Sequence, residues 1–173
     1  IGFIKDGQMN YESADLVIST MPLKDLINGI NNIPESIRKL ANRLNYRDMV
    51  TVSFFIKYEY AGIFLKQNID DCWIYIQEKT VNAGRLQILN NWSECAPKRE
   101  DGLLLQVEYY CNEGEEFWNQ TDKEWIELAI SEMKICRVVS NDVIIEDHVI
   151  NRVSKAYPIY DSGYKDIEKV RNW

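Results

Sequence analysis

Four segments rich in β-branched and aromatic residues follow one another with no helix-length pattern between them: Met49 to Lys57, Cys72 to Gln77, Gly84 to Asn91 and Leu103 to Cys111. This succession constrains the middle of the chain most. Such side chains favour strands, and strands joined without a helical crossover pair antiparallel. In Leu103-Leu104-Leu105-Gln106-Val107-Glu108-Tyr109 the early part is apolar throughout and the late part alternates, as in a central strand with both faces partly covered. Thr121-Asp122-Lys123-Glu124 is a capping box, and the helix it opens carries Trp125, Leu128, Ala129, Met133 and Cys136 on one stripe suited to cover the sheet. Val143 to Ile145 and His148 to Ala156 read as closing strands, and a terminal helix begins near Tyr164.

Ahead of the sheet, Asp6-Gly7 joins Ile1 to Lys5 and Gln8 to Tyr11 as a hairpin, because that dipeptide suits a turn with positive φ. In Ser13-Ala14-Asp15-Leu16-Val17-Ile18-Ser19-Thr20-Met21-Pro22-Leu23, three consecutive apolar residues predict a buried strand over Leu16 to Thr20 that stops at a small-residue turn, with Pro22 opening a helix. Leu23 to Ile30 is a short helical stretch, and Ile33-Pro34-Glu35-Ser36 starts another. The predicted fold is α+β: a mixed, largely antiparallel sheet covered by helices on one side, with a βα piece at the N-terminus. The composition shift near Asp48 predicts three parts, residues 1–47, 48–160 and 161–173. The chain starts at Ile1 and ends at Trp173 inside a helical pattern, so it reads as a piece of a longer protein.

The 173 residues carry 27 acidic and 20 basic side chains, a formal charge of −7 that repels nucleic acid and anionic membrane surfaces. No apolar run approaches the ~20 residues of a membrane span, and no signal pattern opens the chain. Cys72, Cys95, Cys111 and Cys136 are too dispersed for a disulfide scaffold and read as free, mostly buried thiols of a cytoplasmic protein. His148 is the only histidine and is flanked by no nucleophile motif, so it reads as a solvated or sheet-edge residue, and no metal site is expected. Glu113, Glu115 and Glu116 read as helix-start residues.

Two groups of residues suit ligand chemistry. Tyr157, Tyr160 and Tyr164 cluster around Pro158, near Arg152 and Lys155, and offer stacking faces, phenolic donors and cations. Packing of the join between sheet and helix explains the same cluster. In Gly84 to Ser93, a strand with one face on a cavity places Arg85, Gln87, Leu89 and Asn91 together, with Arg85 as an anion clamp; a solvated sheet face explains it equally. No G-x-G-x-x-G or phosphate-binding loop is present in these residues.

Ala14 to Leu23, Gly84 to Ser93 with Leu103 to Tyr110, and Ser154 to Tyr164 together resemble the FAD-dependent amine oxidase superfamily, in the branch of protoporphyrinogen oxidase-like and UDP-galactopyranose mutase-like proteins. The resemblance implies a fragment containing the substrate-binding domain (48–160), a segment joining it to an FAD domain (1–47) and the start of a return helix (161–173). It implies hydride transfer from a small-molecule substrate to FAD in the longer protein, with the main FAD motifs outside this chain and the fragment inactive alone. By the same resemblance Ser19, Thr20, Met21 and Pro22 lie near the flavin, and Arg85, Asn91, Tyr157 and Tyr160 face substrate. Two alternatives stay open: a nucleotide-sugar mutase using reduced flavin, and a non-catalytic ligand- or protein-binding module.

Overall fold

The computed structural model describes residues 1–95 and 100–173. In chain order it contains β1 (Gly2–Lys5), β2 (Gln8–Tyr11), α1 (Leu23–Gly29), α2 (Glu35–Asn42), β3 (Tyr46–Lys57), α3 (Ile63–Gln67), β4 (Trp73–Tyr75), β5 (Arg85–Ile88), β6 (Gly102–Cys111), α4 (Asp122–Ile135), β7 (Asp147–Pro158) and α5 (Ile167–Arg171). These divide between two units, residues 1–45 with 160–173, and residues 46–159.

In the first unit, Asp6 and Gly7 have φ of 52° and 76°, so β1 and β2 form the expected tight hairpin with Lys5 opposite Gln8. Pro22 and Pro34 precede α1 and α2, where a missing N–H costs nothing. Ile27, Ile33, Ala41 and Val170 form a small core among α1, α2 and α5. Arg43 pairs with Asp166 at 3.0 Å, and the Asn45 amide donates to Asp161 at 2.7 Å, tying the C-terminal segment to the end of α2. The buried strand expected at Leu16 to Thr20 is absent. That segment pairs with no strand among the described residues, and Leu16, Val17 and Ile18 are 79%, 55% and 84% exposed. An apolar run becomes a buried strand only beside a pairing neighbour, and a two-stranded hairpin with three short helices supplies none here.

The second unit holds a five-stranded sheet in the order β4-β5-β6-β3-β7, with every pairing antiparallel. Alternation along β3, β5 and β6 puts Val50, Val52, Phe54, Ile56, Leu86, Ile88, Leu105, Val107 and Tyr109 on one side. Leu65 of α3 and Trp125, Ala129 and Met133 of α4 close the core there. The Trp125 ring lies 5.0 Å from Tyr109 and 4.7 Å from Phe117. Arg152, on the same side of β7, donates to Asp122 at 3.0 Å and to the Gln120 carbonyl at 2.5 Å, so it latches α4 to the sheet. Lys155 has φ of 55°, next to an irregularity in the β3–β7 pairing. The Asp48 carboxylate accepts the backbone N–H groups of Lys155 and Glu113, each at 2.6 Å, and so fixes the distortion.

The capping box is present: the Glu124 N–H donates to the Thr121 hydroxyl at 3.3 Å, and the Thr121 N–H donates to the Glu124 carboxylate at 2.7 Å. That backbone hydrogen bond, reinforced by the Thr121 side chain, holds the Glu124 carboxyl below its usual range. A depressed carboxylate contributes stability above its unfolded value of about 4.3, and the contribution disappears as pH falls through the folded value. Glu124→Ala is therefore expected to destabilise at pH 7 and to have no effect at pH 2, as compared by urea unfolding at the two pH values.

Glu132 falls on the buried stripe of α4, seven residues after Trp125, and is 3% exposed. Its carboxylate accepts from the Asn82 N–H (2.7 Å), the Asn82 amide (2.9 Å) and the Ala83 N–H (3.0 Å), which pins the β4–β5 connection to the helix. Glu132→Gln turns an amide nitrogen toward one of these donors and is expected to lower the unfolding free energy by about 1–2 kcal/mol, measured by urea titration.

Val143 to Ile145 form no strand; Val143 follows a turn closed on Ser140, and the apolar side chains at 143 and 145 pack on the core without backbone pairing. Cys111 is buried and Cys136 partly so, and burial pushes both thiols up, whereas Cys72 and Cys95 are exposed, against the expectation of mostly buried cysteines. Glu115 accepts from the Asn112 N–H in a turn well before α4, so it caps no helix. Among the described residues no helix is long and apolar enough to cross a membrane.

Candidate functional site on the open face of the sheet

The face opposite α4 is polar at its centre. Register aligns Tyr75, Arg85, Glu108, Thr51 and Asn151 in one row across the five strands, and Trp73, Gln87, Gln106, Ser53 and Val149 in the next. Polar residues can occupy central strands here because they bond one another. The Gln106 amide donates to the Ser53 hydroxyl at 2.9 Å, and Gln87 donates to Gln106 at 3.2 Å and also to Glu108.

Glu108 is the focus of this network, with 1% of its side chain exposed. Arg85 grips it bidentately, Nε to Oε2 at 2.8 Å and Nη2 to Oε1 at 2.7 Å, and the Tyr110 hydroxyl donates to Oε2 at 3.1 Å. The guanidinium also lies over the rings of Trp73 (5.3 Å) and Tyr75 (5.8 Å). Hydrogen bonding to Glu108 raises the Arg85 pKa, so the cation persists at every accessible pH. Burial and then the Glu108 charge push the Tyr110 phenol up, keeping it protonated. Charge within the cluster is therefore balanced, one guanidinium against one carboxylate.

The same guanidinium donates from Nη2 to the Tyr157 hydroxyl at 2.8 Å. A phenol that accepts from a cation keeps its own O–H to donate. Tyr157 packs edge-on to Tyr110 at 5.7 Å and is 38% exposed. Trp73, Tyr75 and Trp92 add exposed ring surface along the β4 side, with Trp73 and Trp92 5.0 Å apart. The arrangement can stack a ring against aromatic and guanidinium planes and offer a phenolic hydrogen bond.

Of the residues singled out in the sequence, Arg85 and Tyr157 meet directly. Asn91 does not share their face. The strand ends at Ile88 and a 3-10 turn follows over Leu89–Asn91, so alternation stops; the Asn91 amide donates to the Ile69 and Asp71 carbonyls at 2.6 and 3.0 Å, fixing the loop before β4. Tyr160 belongs to the other unit, where its ring pairs with Tyr164 at 4.5 Å. Ser19, Thr20 and Met21 are exposed and Pro22 is half-buried in that unit, with the Met21 N–H donating to the Ser19 hydroxyl at 3.3 Å and the Pro22 carbonyl capping α1. Glu108, Tyr110, Trp73 and Tyr75 were not singled out. The spacing Gln106-x-Glu108-x-Tyr110, out of phase with Leu105, Val107 and Tyr109, carries the signal for the first two.

No family model matches the sequence, and no curated protein matches it. Solved structures do. UDP-galactopyranose mutase in its reduced form aligns over 95% of this chain and 34% of its own, with a TM-score of 0.68 and 19% identity. A protein described as a candidate protoporphyrinogen oxidase, from Exiguobacterium sp. 255-15, aligns over 99% of this chain and 37% of its own, with a TM-score of 0.58 and 16% identity. The chain spans about a third of the length of each, and at these identities the likeness is one of fold.

Proposed function

We propose that residues 46–159 are the substrate-binding part of a flavin-dependent oxidoreductase, with the open face of the sheet as the surface that holds substrate. One observation carries this reading: an aromatic and polar cluster, centred on Arg85, Glu108 and Tyr157, on the uncovered face of a sheet whose fold recurs in UDP-galactopyranose mutase. Bound FAD would supply the hydride acceptor. The chain's own residues fit a contributory role toward it and no more. Ser19 and Thr20 are exposed beside the exposed apolar run Leu16 to Ile18, whereas the Met21 N–H and the Pro22 carbonyl are already engaged, and these four residues form no glycine-rich phosphate cradle. The substrate-binding side chains act by orientation: Trp73 and Tyr75 hold a ring flat, the Tyr157 hydroxyl fixes its rotation, and Glu108 keeps Arg85 in place beneath.

The charge balance within the cluster favours the oxidoreductase over the nucleotide-sugar mutase. An arginine whose fork is filled by a buried carboxylate is a poor clamp for a pyrophosphate, which would have to displace Glu108 or share its cation. A longer polypeptide containing these residues is expected to copurify yellow with FAD, and the 173-residue chain to retain none after desalting; a colourless longer protein overturns the reading. UDP-galactose is expected to leave the fluorescence of Trp73 and Trp92 unchanged. A saturable response abolished by Arg85→Ala transfers the assignment to the mutase.

A further inference from the structure

The open face continues beyond its polar rows into a small cavity of about 200 Å³ between β6, β3 and β7, walled by Phe55, Leu104 and Val149, with Ser53, Asn90 and Asp147 at its margins. It lies four residues along the strands from the Arg85 row, a distance on the order of 13 Å. The polar groups in its wall are already engaged: the Ser53 hydroxyl accepts from Gln106, the Asn90 amide donates to the Gly102 carbonyl at 3.3 Å, and its oxygen accepts from the Leu104 N–H at 2.8 Å. Among the described residues, the side chains that complete the wall, Phe55, Leu104 and Val149, are apolar. The Asp147 carboxylate at the mouth accepts from the His148 N–H at 2.8 Å and repels an anionic guest.

We propose that this cavity is a second subsite for the same ligand, holding an uncharged six-membered ring or branched alkyl group of a molecule whose polar end sits at Arg85 and Tyr157. The inference rests on the reading of the open face as the substrate surface. The size fits, since an apolar cavity of about 150 Å³ accepts benzene. The row of Gln87, Gln106 and Ser53 joins the two subsites on one continuous face. The substrate class is thereby an elongated, uncharged amphiphile, polar at one end and apolar at the other.

His148 enters the cavity wall through its backbone, since its side chain shares the Phe54 side of the sheet, and its N–H donates to Asp147 at the mouth, so the His148 backbone amide proton and nitrogen resonances report on this place. Benzyl alcohol titrated into the 173-residue chain is expected to shift them saturably. The shift is expected to vanish in Leu104→Trp and in Val149→Trp, the latter at a 54% exposed position that tolerates bulk, and to persist in Ile63→Ala. A shift that never saturates, or that survives both plugging variants with folding verified by circular dichroism, overturns the subsite. The longer probe 6-phenylhexan-1-ol is expected to move the His148 resonances and the Trp73 and Trp92 fluorescence with one dissociation constant; two unrelated constants overturn the link between the subsites. Failure of the wider reading has its own signal, a longer protein without FAD, which leaves a saturable His148 response standing.

Discussion

Glu108→Ala is expected to lower the unfolding free energy of the sheet unit by about 3–5 kcal/mol, the cost of leaving one member of a buried ion pair without its partner. The size follows from what the carboxylate does. It takes two bonds from Arg85 and one each from Gln87 and Tyr110, and the Arg85 side chain is only 13% exposed. Removing it strands a cation and two donors together. Removing both charges is gentler: Arg85→Met with Glu108→Leu, which fills similar volume without charge, is expected to recover most of the loss in a urea titration, because desolvating the pair cancels much of its attraction. A Glu108→Ala cost below about 1 kcal/mol would show that the pair behaves as an exposed one. The double variant separates stability from recognition, since it keeps the fold while removing the guanidinium that supports Tyr157.

Trp125→Ala is expected to cost about 3–5 kcal/mol and to lower the melting temperature by more than ~10 °C. Trp125 is fully buried and its ring stands between Tyr109 and Phe117, so truncation opens a cavity where α4 meets the sheet. Trp125→Phe is expected to cost far less. It keeps the aromatic contacts and removes an indole N–H for which no partner exists among the described residues. The two substitutions differ in near-ultraviolet circular dichroism and melting, and equal effects would contradict a packing role.

The hairpin at Asp6-Gly7, the α4 capping box and the strands of the second unit were legible because each rests on local chemistry: positive φ, a reciprocal cap, alternation. Leu16 to Thr20 was not, because apolar content announces a wish for burial without naming the partner. Val143 to Ile145 failed for a related reason, burying side chains without finding a backbone neighbour. At the candidate site, residue type marked Arg85 and Tyr157 as candidates and only the family resemblance turned them toward substrate; their direct contact, across 72 positions, was not legible in the sequence. The role given to Arg85 changed. An anion clamp presumes a free cation, and the carboxylate that occupies its fork comes from a neighbouring strand whose register no single segment reveals. Asn91 shows the limit of alternation, which ends where a strand turns into a 3-10 helix.

The distortion held by Asp48 at Lys155 has a consequence for how copies of this protein behave at high concentration. A sheet whose outermost strand ran straight for twelve residues would be a template for fibrous stacking. Here the left-handed residue interrupts that border beyond the regular run Asp147–Val153, and the opposite border, β4, is three residues long, so the length on which another chain could zip is cut short at both rims. One carboxylate gripping two backbone amides thus limits the length of the exposed edge as well as setting its shape.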